Sequence, residues 1–344
     1  MQQRTATFFF LITFMCKPYF AVSQQDESLV IEEEGKIIEA ANRYKPRPKF
    51  LVFETEFINN FTVTSNSDVI GNAEANVSQN LIREGKIKFP VVLKERTNII
   101  GGFGYRHEQF KFNNLTDPSY PLFSRFDDKS LKRVTFSSYL KHDFNEEKFL
   151  FMYFNSSLNS DRPRFRYFLP QLKISLATLK GKRIGLHKEI GYGISFGYDF
   201  GQPAIFPLFM LNNDFALHWG YELLLPKSAK LRYSPNASNH FISTLELQGA
   251  SYYLRDSVLE NFDELEFRRS SIRLTVSYER EIHDWLWIGL TAGYRVPINI
   301  FLSEQGERRR DAIITVKAQS SPYVNFAIFL VPPSKLYNKA KGSG

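Results

Sequence analysis

Cysteine is almost missing from this sequence: the single Cys16 lies close to the N-terminus. If that leader is removed, disulfides, thiolate metal sites and cysteine nucleophiles are excluded for the remainder. Beyond the leader there is no run of about 18 consecutive apolar residues, which excludes membrane-spanning helices. Histidine is sparse as well. His107, His142, His187, His218, His240 and His283 are spread along the chain without an H-x-x-x-H spacing, so neither a metal nor another cofactor is expected. The net charge is +8, with a pI near 9.3. Its lysines and arginines interleave with acids and form no dense basic stripe, and nucleic acid is not an expected partner.

Aromatic residues are abundant: 33 Phe and 17 Tyr among 344 residues, at a mean hydropathy of only -0.29. That combination suits strands with one greasy face and one wet face. Between Ile190 and Phe200 the chain alternates Ile190, Tyr192, Ile194, Phe196, Tyr198 and Phe200 with Gly191, Gly193, Ser195, Gly197 and Asp199. Similar alternation recurs over most of the chain, with almost no helical segments to cover the aromatic face. Lipid is then the expected partner of that face. The predicted fold is all-β, a transmembrane antiparallel up-and-down β-barrel.

The N-terminus reads as an export signal: Arg4, then apolar Phe8 to Met15, interrupted by Lys17 and Pro18, then Ala21-Val22-Ser23 as the cleavage site. The stretch is too short and broken for an anchor helix. Lipidation at Cys16 is disfavoured by the bulky Thr13-Phe14-Met15 before it. Residues 24–49 are polar, with Glu32, Glu33 and Glu34 in a row, and read as a periplasmic lead-in to a barrel over 50–331. A basic tail, 332–344, follows.

From Phe50 the period is two. Expected strands are Phe50 to Phe61, Phe89 to Thr97, Asn98 to Phe112, Arg133 to Phe144, Lys148 to Asn155, Tyr167 to Thr178 and the Ile190 segment. Ala204 to Leu211, Phe215 to Leu225, Phe241 to Leu254, Phe267 to Ile282, Trp285 to Ser303 and Pro322 to Val331 follow. Short turns are expected near Thr97-Asn98, Asn145-Glu146, Asn212 to Asp214 and His283-Asp284. Longer loops are expected at Val63 to Lys86, Asn113 to Lys132, Arg255 to Glu264 and Glu304 to Lys317. Bacterial barrels keep short turns in the periplasm and long loops outside. With a periplasmic N-terminus, every long loop falls outside only if Leu225 to Pro235 is a tight hairpin with one extra strand. That gives about 14 strands; without it and the Ala204 segment, about 12 remain.

The clearest pair surrounds His283-Asp284. Ile272, Leu274, Val276 and Tyr278 alternate with Arg273, Thr275, Ser277 and Glu279. Leu286, Ile288, Leu290, Ala292, Tyr294, Val296 and Ile298 alternate with Trp287, Gly289, Thr291, Gly293, Arg295 and Asn299. A charge facing lipid at mid-bilayer costs about 2–4 kcal/mol, and here the charges avoid the aliphatic face in both strands. Trp219, Tyr221, Tyr252, Tyr253, Trp285, Trp287 and Tyr323 are candidates for the two aromatic girdles.

Val276-Ser277-Tyr278-Glu279-Arg280-Glu281, Trp285-Leu286-Trp287, Thr291-Ala292-Gly293-Tyr294-Arg295 and Leu223-Leu224-Leu225-Pro226-Lys227 resemble an uncharacterised family of outer-membrane β-barrel proteins of diderm bacteria (DUF6268-like). The resemblance covers most of the region after Phe50 and implies fold and location, with no catalytic residues to carry over. The chain departs from the common barrel pattern at its end, where the basic tail follows a last strand that holds Phe329 in its interior.

The polar residues expected to face the lumen are Arg106, Glu108, Asp199, His218, Glu222, Glu246, Gln248, Arg273, Glu279 and Arg295. If they pair, they brace a closed barrel; if they line water, they set selectivity. The lumenal glycines are expected to leave room, favouring a narrow passive channel for small solutes over a structural barrel. Arg308-Arg309-Arg310 reads as a solvated loop, though it could meet lipid phosphates. An outer-membrane lipid-modifying enzyme is the first alternative, with His218 beside Glu222 as its base; a soluble secreted β-sandwich is the second. No catalysis is expected. The expected partners are outer-membrane lipid and the barrel-assembly machinery, and the expected state is a monomer.

Overall fold

The computed structural model describes residues 44–334, apart from positions 129, 164, 165, 167, 186, 199, 255–258, 260, 261 and 263. The expected export signal, most of the expected lead-in and most of the basic tail lie outside the described residues.

Sixteen strand segments form one closed, almost wholly antiparallel sheet. Segments β1 (Leu51–Ile58) and β2 (Phe61–Asn66) are two halves of the first stave, joined where Asn60 takes a left-handed φ of 53°. The staves β3 (Ala73–Leu93), β4 (Thr97–Asn113), β5 (Leu131–Asp143), β6 (Lys148–Ser160), β7 (Leu172–Ile184) and β8 (Lys188–Gly197) follow. After them come β9 (Ala204–Ala216), β10 (Trp219–Leu225), β11 (Ser228–Asn236), β12 (Asn239–Leu254), β13 (Leu265–His283) and β14 (Leu286–Glu304). The last stave is again split, into β15 (Ile314–Ala318) and β16 (Ser321–Leu330). Closure joins first to last, β1 to β16 and β2 to β15. Two split staves and twelve whole ones make a barrel of 14. The tight hairpin at Pro226-Lys227 supplies the extra strand, β11. Every ladder is internal to the ring, so no unpaired sheet edge needs covering.

The aromatic and aliphatic faces point outward. Tyr192 and Ile205 are 71% and 68% exposed, and the alternating aliphatics of β13 and β14 are exposed on the same face in register, Val276 opposite Ala292 and Tyr278 opposite Leu290. A sandwich would bury these side chains between two sheets, so that alternative is contradicted. Close to the short turns, Trp219, Tyr233, Phe241 and Tyr278 stack along neighbouring staves at centroid distances of 4.6, 6.2 and 4.9 Å. Trp285 also stays exposed. In contrast, Tyr252, Tyr253, Trp287 and Tyr323 are buried and do not belong to a girdle.

Several expected boundaries move. Val63 to Lys86 is no loop: β2 and the upper half of β3 fill it, and β3 ends at Leu93, with the turn at 94–96. The pairing of β3 with β4 slips between Val77 and Gln79, and that bulge exchanges the inward and outward sets of β3. Asn212 to Asp214 lies inside β9, and Lys180 to Arg183 lies inside β7. Within the expected loop 113–132 a helix forms, α1 (Pro121–Asp128), started by proline in its first turn.

The end with the long connections, called here the loop end, is pinched. Tyr253 of β12 bridges to Ser160 of β6, and Asn159 Nδ2 donates to the Ser251 carbonyl at 2.8 Å. The outward face of the upper β12–β13 hairpin is thereby buried. There Glu266 accepts from Lys173 at 2.7 Å and also contacts Arg268 and Ser251. The connection between β8 and β9 also comes close to β12: a Cβ on Gly249 would lie 2.0 Å from the Phe200 backbone.

Candidate functional site

The lumen is built from alternate residues of each stave, and its most charged layer lies across the middle. Even-numbered positions of β1, lower β3 and β4 and odd-numbered positions of β13 and of β14 up to Pro297 point into it; beyond the bulge at Ile298 the even-numbered positions of β14 do so. Glu108 is fully buried and accepts from both Nη atoms of Arg269, Nη1 at 2.7 Å, and from Asn80 Nδ2 at 3.0 Å. Arg273 contacts Glu56, donates to Tyr323 Oη at 2.9 Å and Gln248 Oε1 at 3.0 Å, and lies over the Tyr323 ring. Arg106 pairs with Glu84 at 3.4 Å, and Lys86 bridges Glu54 and Glu84 at 2.9 and 3.1 Å. Arg295 donates to Asn80 Oδ1 at 3.3 Å and faces the Phe61 ring.

Above this layer lies an apolar chamber. Its walls include Phe61, Val77, Ile82, Phe110, Phe112, Phe267 and Ile300, and Arg106, Arg133, Arg269, Arg273 and Arg295 also line it. Helix α1 covers it: Leu122, Phe123 and Phe126, on one helical face, are buried. Phe126 packs on Phe110 and Phe267 at 5.9 and 5.0 Å between centroids. Tyr120 ties the preceding loop to the wall through Ser65 Oγ at 2.8 Å. On the other side lies a polar chamber of about 390 Å³. Lys86, Lys88, Arg133, Lys173 and Lys227 line it against Glu84 and Glu246, an excess of positive charge among the described residues. Arg133 and Gln248 line both chambers and so stand between them. A smaller apolar cavity of about 180 Å³ opens beside the polar one, between Phe151, Leu179, Leu208 and Leu224.

Near the short turns lies another chamber, of about 330 Å³, lined by Lys45, Lys49, Glu222, Lys230, Arg232 and Glu279 among others. Residues Tyr44 to Lys49 cross this end as a strap. Tyr44 stacks on His218 at 5.1 Å and its carbonyl accepts from Arg232 at 3.2 Å. Arg47 reaches Asp284 at 2.9 Å, Glu281 at 3.7 Å and the Pro332 carbonyl at 2.9 Å, over the ring of Trp287. Lys49 pairs with Glu279 at 2.5 Å. Beside the buried carboxyl-terminal end of the sheet, Ser334 donates its N–H to Asp284 at 2.9 Å. Burial raises the Asp284 carboxyl, but the Ser334 hydrogen bonds and Arg47 outweigh it and hold the group below its ordinary value.

Of the sequence candidates, Arg106, Glu108, Gln248, Arg273 and Arg295 come together in or just above the charged layer. Glu246 lines the polar chamber, and Glu222 and Glu279 line the strap-end chamber. His218 does not sit on a strand wall beside Glu222. It occupies the β9–β10 turn, where Nδ1 meets the Ser234 carbonyl at 2.8 Å under Tyr44. Asp199 lies outside the described residues. His240 pairs with Ser234 Oγ at 2.8 Å, but both are buried and the imidazole stacks on Trp287. Several lumenal glycines do not leave open space, although Gly104, on the polar chamber, would meet nothing nearer than 3.6 Å. A Cβ on Gly293 would lie 2.4 Å from Tyr323, and one on Gly181 would lie 2.2 Å from Phe149, so aromatic rings already fill those positions. Sequence reasoning missed Glu54, Glu56, Asn80, Glu84, Arg133, Arg269 and the strap. Strict alternation along β1, β4 and β13 carried the signal for Glu54, Glu56 and Arg269; the bulge in β3 hid Asn80 and Glu84.

No family model matches the chain, and no curated protein matches it. Solved structures similar to it are outer-membrane barrels. An outer-membrane channel from Pseudomonas putida F1 is 9% identical, with a TM-score of 0.40, over 83% of this chain and 97% of that one. The translocator domain of the autotransporter NalP from Neisseria meningitidis is 9% identical, with a TM-score of 0.32, over 88% and 96%. The toluene transporter TodX of P. putida is 8% identical, with a TM-score of 0.35, over 86% and 92%. At such identities the likeness concerns barrel architecture alone.

Proposed function

We propose that this chain is a narrow, passive, anion-preferring channel of a bacterial outer membrane, of the uncharacterised barrel family that its sequence resembles. The loop end faces outward and the strap end faces the periplasm. The observation that carries the reading is the pair of polar chambers, about 390 and 330 Å³, inside one closed ring. A barrel that serves only as a scaffold has no need of spaces large enough for several waters each. The excess of lysine and arginine in the larger chamber raises the local concentration of anions and sets the preferred sign of charge. Arg133 and Gln248 form the constriction above it, and the strap forms a second barrier below.

Planar-bilayer recording tests this. The full chain is expected to give small single-channel currents whose reversal potential under a salt gradient favours the anion. Arg133→Ala is expected to enlarge them several-fold, and so is the double change Arg47→Ala with Lys49→Ala. If all three proteins leave the bilayer as silent as bare lipid, the channel reading fails and a structural barrel takes its place.

A further inference from the structure

Three of the guanidiniums around the apolar chamber have carboxylate partners: Arg106 with Glu84, Arg269 with Glu108 and Arg273 with Glu56. Arg295 has none among the described residues. Its one hydrogen bond goes to Asn80 Oδ1, at 3.3 Å, and its Nε is buried without a partner. Arg133 is similar: its one side-chain hydrogen bond among the described residues goes to Tyr252 Oη at 3.5 Å, and its Nε is also buried and unpartnered. Both side chains line the same chamber. A buried cation calls for an anion, and a guanidinium offers a carboxylate two parallel N–H donors. The rest of the chamber calls for something else. Phe61, Phe110, Phe126 and Phe267 line it, and a small inorganic anion would leave the apolar part of the chamber unfilled.

We propose that the apolar chamber binds an apolar carboxylate, a single-ring or short-chain acid. Its carboxylate sits on Arg295, and its hydrocarbon part lies among the phenylalanines beneath α1. Arg133, which lines both this chamber and the polar one, is the next cation on the way inward. A neutral apolar molecule would fill the chamber but leave Arg295 unpaired. The inference deepens the channel reading by naming the solute class, and it rests on that reading for the passage of the bound acid onward through the ring.

Calorimetric titration of the purified full chain in a non-ionic detergent, against a detergent blank, tests it with benzoate and benzyl alcohol as probes. Benzoate is expected to bind at least ten-fold more tightly than benzyl alcohol. Arg295→Met, at an unchanged melting temperature, is expected to weaken benzoate at least ten-fold and to leave benzyl alcohol unchanged. If that variant does not fold, Arg295→Lys replaces it: the charge stays, the paired donors are lost, and benzoate binding falls several-fold. Equal binding of the two probes, no binding of benzoate, or unchanged benzoate binding by the folded variant would each overturn the inference. The assay requires no current. A protein that conducts but ignores benzoate sinks this inference alone; one that binds benzoate but never conducts sinks the channel reading alone.

Discussion

Arg273 is held from three sides, by Glu56, Tyr323 and Gln248, with the Tyr323 ring beneath its guanidinium. Both members of the Arg273–Glu56 pair are buried, with side chains 9% and 8% exposed. Removing one partner strands the other charge, whereas removing both does not. Glu56→Gln is therefore expected to lower unfolding stability by about 3–5 kcal/mol. Pairing Glu56→Leu with Arg273→Met is expected to cost much less. Urea unfolding in lipid vesicles, followed by circular dichroism, measures both. A single-variant loss within about 0–1 kcal/mol would show a pair that behaves as solvent-exposed. The same layer shows why charge placement was legible one residue at a time. On β13 and β14 the inward Arg273, Glu279 and Arg295 alternate with outward apolar residues such as Leu274, Tyr278 and Val296, so they fall on one face by parity alone. Parity cannot say which carboxylate each arginine meets, because partners come from staves far apart in sequence.

At the scale of elements, the long stretches that keep one parity were readable and those that change it were not. β13 and β14 were plain because their apolar stripes run unbroken from Ile272 to Tyr278 and from Leu286 to Ile298. The upper half of β3 looked like a polar loop for two physical reasons: the bulge near Ser78 reverses its faces, and Arg83 interrupts its outward apolar set. Helix α1 was hidden because Leu122, Phe123 and Phe126 make a face of barely two turns inside a polar connection. The strap was hidden because its meaning is entirely tertiary: Tyr44, Arg47 and Lys49 gain their roles only when the sheet closes beneath them. Its docking is expected to depend on pH through Asp284. The folded-state value of that carboxyl is lowered, so the contribution is complete above the ordinary carboxylate range and is lost as pH falls through the lower, folded value. Trp287, under Arg47, reports the event. Acrylamide quenching of Trp287 in a variant lacking the other two tryptophans is expected to stay flat from pH about 7 to about 5 and to rise only at pH below the ordinary aspartate value. Asp284→Ala is expected to show the raised quenching already at neutral pH. Equal quenching in the two proteins at neutral pH would remove Asp284 from the docking.

At the scale of the whole molecule, the ring places aromatic and aliphatic side chains outside and charges inside, and everything said of chambers and solutes depends on that arrangement. Closure also accounts for the scarcity of helix, since a ring with no free edge needs none to cover it. The tryptophans test it most directly. Trp219 opens β10 on the outward face, packed against Tyr233, and is 39% exposed, whereas Trp287 of β14 is 2% exposed within the ring. Single-tryptophan proteins, reconstituted into vesicles of lipid brominated high on the acyl chain, separate the two environments. Strong quenching of Trp219 with little change at Trp287 is the predicted result. Equal quenching of both, or none at Trp219, would contradict it.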